Sequence, residues 1–233
     1  GILTGRKKIM LLAKNTYKKY KHFLSLTIFI FLTLWFAYLK KTIVSQHIMY
    51  SYLDSKIPFV KEFVLAYYFW FAYMSIGFVY LGSVSKIDFY KMELFLSLSM
   101  TISFIIFIVY PNSQFPRPSV SGKDIFSRLV NFIYDHDGTN NVFPSIHVCN
   151  SIGVHIGLIN CYKLKDKTLI KSLSLTATLL ICASTVFIKQ HSIIDVVGGI
   201  ILAAIIYICI YQIPKLFMSS LKIGNLKIEN RKY

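Results

Sequence analysis

Charge is scarce in this chain and lopsided in sign. Only 15% of the 233 residues are charged, and Asp and Glu together number 10 against 26 Lys and Arg. The few carboxylates form no cluster of the kind that holds a hard cation, which leaves metal-centred chemistry without a ligand set. Cysteine is limited to Cys149, Cys161, Cys182 and Cys209, all in or at the ends of apolar runs. None has a Cys or His partner at metal-ligand spacing, so they read as small apolar residues and leave the redox compartment open. Repeats, long linkers and low-complexity stretches are absent, which gives one domain over residues 1–233 with basic tails at about 1–21 and 215–233. The first apolar run is followed by no small-residue cleavage site, so a removable signal peptide is not expected. Low alanine with abundant Ile, Lys and Asn suggests an AT-rich, bacterial genome.

Uncharged runs are what the chain has in quantity. They cover His22–Leu39, Phe63–Ser85, Leu94–Tyr110, Ser145–Tyr162, Ser172–Ile188 and Val196–Pro214. Each is about the length needed to cross a hydrocarbon layer of roughly 30 Å as a helix. A soluble helix would carry charge on one face every turn or two, and these do not. The expected fold class is therefore all-α: a polytopic membrane protein with six transmembrane helices. Two outer connections exceed a turn. Residues 40–62 hold a short interfacial piece around Tyr50, Tyr52, Leu53, Asp54 and Lys56. In the longer loop, residues 111–144, Ile125, Leu129, Val130 and Ile133 recur at helical spacing and predict a short interfacial helix. That helix either gates lipid access or simply covers the helix ends.

The formal charge of +16 does not point to nucleic acid. With six spans, one side of the membrane holds residues 1–21, 83–91, 162–171 and 214–233, which carry 18 of the 26 Lys and Arg. This is the positive-inside pattern: both termini cytoplasmic, and Arg117, His147 and His191 together on the extracytoplasmic side. The basic tails suit anionic headgroups and lack any motif for reading bases.

Ionisable groups at a bilayer boundary are costly and mark function by default. His191 and Asp195 lie i, i+4 on one helix face, so the carboxylate can fix the imidazole tautomer and leave the other nitrogen free to attack phosphorus. The alternative is a structural pair capping the last helix. Pro144-Ser145-Ile146-His147 reads as a helix start, with backbone N–H groups available to an anion and His147 placed to donate a proton; alone, His147 would read as an interface residue. Arg117 can clamp a phosphate and Lys189 can supply a point charge, the alternative being ordinary headgroup contact. His155, two turns below His147, reads as structural. Asp135, His136, Asp137 and Asn141 read as shaping the turn before Pro144, with His136 a further candidate for substrate contact. Gly198-Gly199 predicts close approach of the last helix to the one bearing His147.

These pieces resemble the type 2 phosphatidic acid phosphatase superfamily, whose pattern is Lys-x6-Arg-Pro, Pro-Ser-x-His and Ser-Arg-x5-His-x3-Asp. Here they stand as Tyr110-x6-Arg117-Pro118, Pro144-Ser145-Ile146-His147 and Ser184-Thr185-x5-His191-x3-Asp195. The resemblance implies a nucleophilic His191 forming a phosphohistidine, Asp195 orienting it, His147 protonating the leaving group, and Arg117, Ser145 and Ser184 holding phosphate oxygens, without metal or cofactor. Tyr110 and Thr185 stand where the family has cations, and Lys189 is positioned to supply one of them. The runs Phe143–His147 and Lys189–His191 look most like the membrane branch related to inositol phosphorylceramide and sphingomyelin synthases.

The expected activity is hydrolysis of a lipid phosphate or pyrophosphate at the outer face, with phosphatidic acid, phosphatidylglycerol phosphate and polyprenyl pyrophosphate as candidates. The alternative enzyme moves a phospho-headgroup to an alcohol acceptor. A non-enzymatic transporter is disfavoured by the lack of internal repeats and of interrupted helices near the midplane.

Overall fold

A computed structural model describes residues 14–114 and 117–217; most of both basic tails lies outside them. Its helices are α1 (Ile28–Thr42, continuing a 3-10 turn Lys21–Thr27), α2 (Tyr52–Lys56), α3 (Val64–Val84), α4 (Lys86–Val109), α5 (Ile125–Asp137), α6 (Ile146–Asn160), α7 (Thr168–Phe187) and α8 (Ile193–Tyr207). Among the described residues the protein is all-α apart from two three-residue strands, β1 (His47–Met49) and β2 (Asn112–Gln114), which pair in parallel and tie together the loops that follow α1 and α4.

Among the described residues, five helical stretches are long and apolar enough to cross a membrane: Lys14–Thr42, Lys61–Val84, Lys86–Val109, Thr168–Phe187 and Ile193–Phe217. The sixth expected span, Ser145–Tyr162, is the short one. Its helix α6 has 15 residues, about 22 Å of rise. α6 is also the most enclosed helix, packed against α3, α4, α7 and α8. Its buried side, with Cys149, Val154 and Leu158, meets Phe95, Leu96, Leu81 and Met92 of the surrounding helices. The outer helices instead leave Phe31, Leu34, Leu65, Leu179 and Ile201 exposed, as lipid-facing surfaces require.

Some of the polar residues inside this bundle pair with one another. Tyr73 Oη lies 2.6 Å from Ser174 Oγ, and His155 Nδ1 sits 2.9 Å from the same hydroxyl, the structural role expected of His155. Gly199 permits a close approach to backbone: a Cβ there would lie 2.8 Å from the Ser145 carbonyl oxygen and 3.0 Å from Val148 Cβ. The predicted contact between α8 and the His147 helix is thus made by Gly199. Gly198 faces the Phe143 ring instead.

The long loop between α4 and α6 folds over the helix ends. Asp124 caps α5, its Oδ1 accepting from Phe126 N and Ser127 N, and its Oδ2 pairs with Lys61 Nζ at 2.7 Å. Burial of Val130 and Ile133 against Val64, Tyr67 and Ile188 seats α5 on the ends of α3 and α7. Below it, the Asn112 side chain holds the segment entering α6: Oδ1 accepts from Val142 N and Phe143 N, and Nδ2 donates to Phe143 O.

Candidate active site

Two helix starts meet at one end of the bundle. Ser145 caps α6, its Oγ accepting from Val148 N at 3.4 Å, and its own N–H donates to the Asp195 carbonyl at 3.0 Å. The Ser145 N–H that the sequence offered to an anion is therefore committed to α8. Ser192 caps α8 in a capping box whose acid is Asp195, with Ser192 N donating to Asp195 Oδ2 at 2.9 Å. The same Oδ2 lies 3.2 Å from His191 Nδ1. Structural cap and histidine orienter are thus one fully buried carboxylate. When Nδ1–H donates to this carboxylate, the His191 lone pair lies on Nε2.

His147, in the first turn of α6, brings its ring centroid within 5.7 Å of that of His191. It is wedged between Tyr67 and Trp70 of α3, at 4.6 and 4.5 Å between centroids. Both histidines line a cavity of about 300 Å³. Its polar wall includes Arg117, Asp137, Asn141 and Gln190; its apolar wall comes from Phe36, Trp70, Phe71, Met100 and Ile146, on α1, α3, α4 and α6. Phe71 is exposed on the outside of the bundle, so the apolar wall runs towards the lipid-facing surface.

Arg117 is held over the Tyr134 ring at 4.7 Å and donates through Nη2 to the Gly138 carbonyl. Burial lowers its pKa, opposed by Tyr134, Tyr67 and Asp137. The Tyr134 hydroxyl donates to Ile188 O at 2.7 Å, and burial pushes that phenol up to about 12. Asp137 receives Tyr67 Oη at 2.7 Å and Gln190 Nε2 at 3.1 Å, both on Oδ2. Burial pushes the Asp137 carboxyl up, but His147, the Tyr67 hydroxyl, Lys40 and His191 pull harder, and the net direction is down.

The structure thus brings His191, His147, Asp195 and Arg117 into one place, with Ser145 behind them. Ser184 and Lys189 do not line the cavity. Ser184 is buried, its Oγ donating to Ile181 O at 2.6 Å. Lys189 turns away: its Nζ donates to Asp54 O at 2.8 Å and Ile57 O at 2.6 Å, and its φ of 54° reverses the chain between α7 and His191. Its pKa is lowered by burial, partly offset by Asp54. His136 stacks on Phe132 at the exposed end of α5 and is not in the cavity wall.

Sequence reasoning missed Asp54 and underrated Asp137, Asn141 and Gln190. Asp54 reaches α8 from the loop between α1 and α3, and no local pattern connects residues so far apart. For the other three a signal was present: Asp137 and Asn141 lie shortly before Pro144, and Gln190 adjoins His191.

No curated protein and no solved structure gives a significant match to the chain. The model of the PAP2 superfamily does match, over residues 92–218, which is more than half of the sequence and includes α6, the α7–α8 turn and both histidines. The protein belongs to the PAP2 superfamily, whose activity is of the phosphatase type, on phosphate monoesters and independent of metal.

Proposed function

We propose that the protein is an integral membrane lipid phosphate or pyrophosphate phosphatase acting through a phosphohistidine on His191. The observation that carries this reading is the composition of the cavity: a histidine pair with a polar wall, together with an apolar wall that includes the exposed Phe71. A phosphate on a hydrocarbon chain fits both walls at once. In the first step His191 Nε2 attacks phosphorus, the bond from phosphorus to the leaving oxygen breaks, and His147 delivers its proton to that oxygen. Water then gives a proton to His147 and attacks the phosphohistidine; the P–N bond breaks, releasing phosphate and regenerating His191. Asp195 keeps the His191 tautomer, and Arg117 neutralises charge on the phosphate oxygens. Ser145 holds α6 and α8 in register. Ser184 and Lys189 support the α7–α8 turn, Lys189 through its two carbonyl partners.

We read α6 as the sixth span, its short length tolerated because four helices screen it from lipid. The basic ends then lie in the cytoplasm and the histidines on the opposite side. The test is phosphate release from a panel of lipid phosphates and pyrophosphates, in detergent with EDTA, comparing wild type with His191→Ala. Release that survives EDTA and is lost in the variant, with phosphate trapped on His191 in an acid-labile form, is the expected result. A phosphorylated alcohol without free phosphate would replace hydrolysis by transfer, the activity of the synthase-related branch. Full activity in His191→Ala would end the reading.

A further inference from the structure

Four polar atoms on the cavity's polar side have no hydrogen-bond partner among the described residues: Arg117 Nε, on the cation assigned above to the phosphate, and, on two amide side chains, Asn141 Nδ2, Asn141 Oδ1 and Gln190 Oε1. Both side chains line the cavity, and Asn141 is 6% and Gln190 3% exposed. Buried amides left unpaired are costly, and each calls for a physical reason. The Gln190 amide is oriented by its neighbours. Gln190 commits Nε2 to Asp137 Oδ2 and to the Tyr67 hydroxyl, which leaves Oε1 as its free end. Asn141 sits at φ 62°, a conformation asparagine tolerates, with its backbone N–H on the Asn112 carbonyl.

The chemistry of this set is specific. Asn141 offers one acceptor and one donor group, Gln190 an acceptor, and Asp137 a carboxylate beside them. A second phosphate would meet three acceptor groups and a negative charge. A hydroxyl, which both donates and accepts, matches them. We propose that Asn141, Gln190 and Asp137 form a hydroxyl-binding subsite next to the phosphate position, so that the ligand presents a free alcohol within reach of the transferred phosphate. This rests on the cavity being the phosphate site described above. The alcohol belongs either to the phosphorylated substrate itself or to a separate acceptor.

The deciding experiment is calorimetric titration of the full chain in detergent, carrying His191→Ala to block turnover, with glycerol 1-phosphate and with propyl phosphate. The two probes share a phosphate and a three-carbon chain and differ in hydroxyls. Glycerol 1-phosphate should bind at least about 10-fold tighter, as expected of a site that hydrogen-bonds an alcohol. Adding Asn141→Gly, which keeps the positive φ while deleting the amide, should bring the ratio to about one; Gln190→Leu provides a second deletion in case the first misfolds. Equal affinities, binding of neither probe, or a ratio unchanged in both variants would overturn the subsite. With wild type, faster phosphate release from lysophosphatidic acid than from phosphatidic acid would place the hydroxyl on the substrate. Glycerol phosphate formed from phosphatidic acid plus glycerol would place it on an acceptor. Absence of release from every lipid phosphate would overturn the phosphatase reading alone, since the binding ratio decides the subsite without turnover.

Discussion

Asp54 Oδ1 accepts the backbone N–H of Ile193 at 2.8 Å across 139 residues of sequence. Its Oδ2 accepts from Ser192 Oγ at 2.6 Å and from Ser51 N at 2.7 Å. One carboxylate of the loop between α1 and α3 therefore holds the first turn of α8, and with it the segment that carries His191. Lys189 reinforces the link from the other side by donating to the Asp54 carbonyl.

Asp54→Ala is therefore expected to act on catalysis without touching substrate. Displacement of a reacting group by about 1 Å can cost on the order of 100-fold in rate. The expected outcome is kcat lowered about 10- to 100-fold, KM nearly unchanged, and Asp54→Asn intermediate because it keeps one carbonyl acceptor. Steady-state kinetics on any accepted lipid phosphate checks this. A variant with wild-type kcat would show that the α8 turn holds its shape unaided.

Asp195→Asn tests the orienting role against the capping role. The amide can still accept the Ser192 N–H through its oxygen, but it cannot hold the His191 tautomer as a carboxylate does. In another histidine-dependent system the corresponding change costs about 10⁴ in kcat with geometry intact. A fall of at least about 10³ in kcat is expected here, with phosphohistidine no longer trapped. Asp195→Ala should in addition lower the melting temperature, because the cap is lost as well.

The helices and the two-histidine constellation were legible because they rest on local rules. Uncharged runs located α3, α7 and α8, and the spacing of Ile125, Val130 and Ile133 located α5, since both patterns follow from helical periodicity. The i, i+4 relation put Asp195 on His191 before any coordinates. What the sequence could not show depends on contacts between distant segments. The direction of the Lys189 ammonium is one case: proximity to His191 suggested a phosphate contact, but the left-handed turn at Lys189 points the side chain to the Asp54 and Ile57 carbonyls. The Ser145 N–H is another, since a helix start advertises free donors and only the fold shows that the Asp195 carbonyl takes this one. The strand pair His47–Met49 with Asn112–Gln114 was invisible for a third reason: three residues carry too little alternation to register.

Two adjacent glycines should respond unequally to the same change. A Cβ on Gly198 would meet Phe143 Cε2 at 2.4 Å, a ring edge that can rotate away. On Gly199 it would meet the Ser145 carbonyl oxygen at 2.8 Å, which is fixed by the start of α6. Gly199→Ala is expected to destabilise by about 1–3 kcal/mol, the range for overpacking a tight contact, and Gly198→Ala by less. Thermal unfolding in detergent measures both. The reverse order would mean that α6 can shift more easily than the Phe143 ring.

Asp137 makes stability depend on pH with a definite sign. Burial favours its neutral form, but His147, the Tyr67 hydroxyl, Lys40 and His191 favour the carboxylate more, so the folded protein holds this group below its unfolded value. A carboxyl depressed in the folded state stabilises the fold above its unfolded pKa, about 4, and that contribution is lost as the pH falls through the folded value. Asp137→Asn removes the titration and also weakens the hydrogen bonds from Tyr67 and Gln190. The variant should therefore melt at a lower temperature than wild type at pH 7. The gap should narrow as the pH is taken from about 5 to about 3, because wild type loses there what the variant never had. Melting curves that stay parallel across this range would show that the polar wall is held by its neutral hydrogen bonds, and that the charge on Asp137 contributes nothing to the fold.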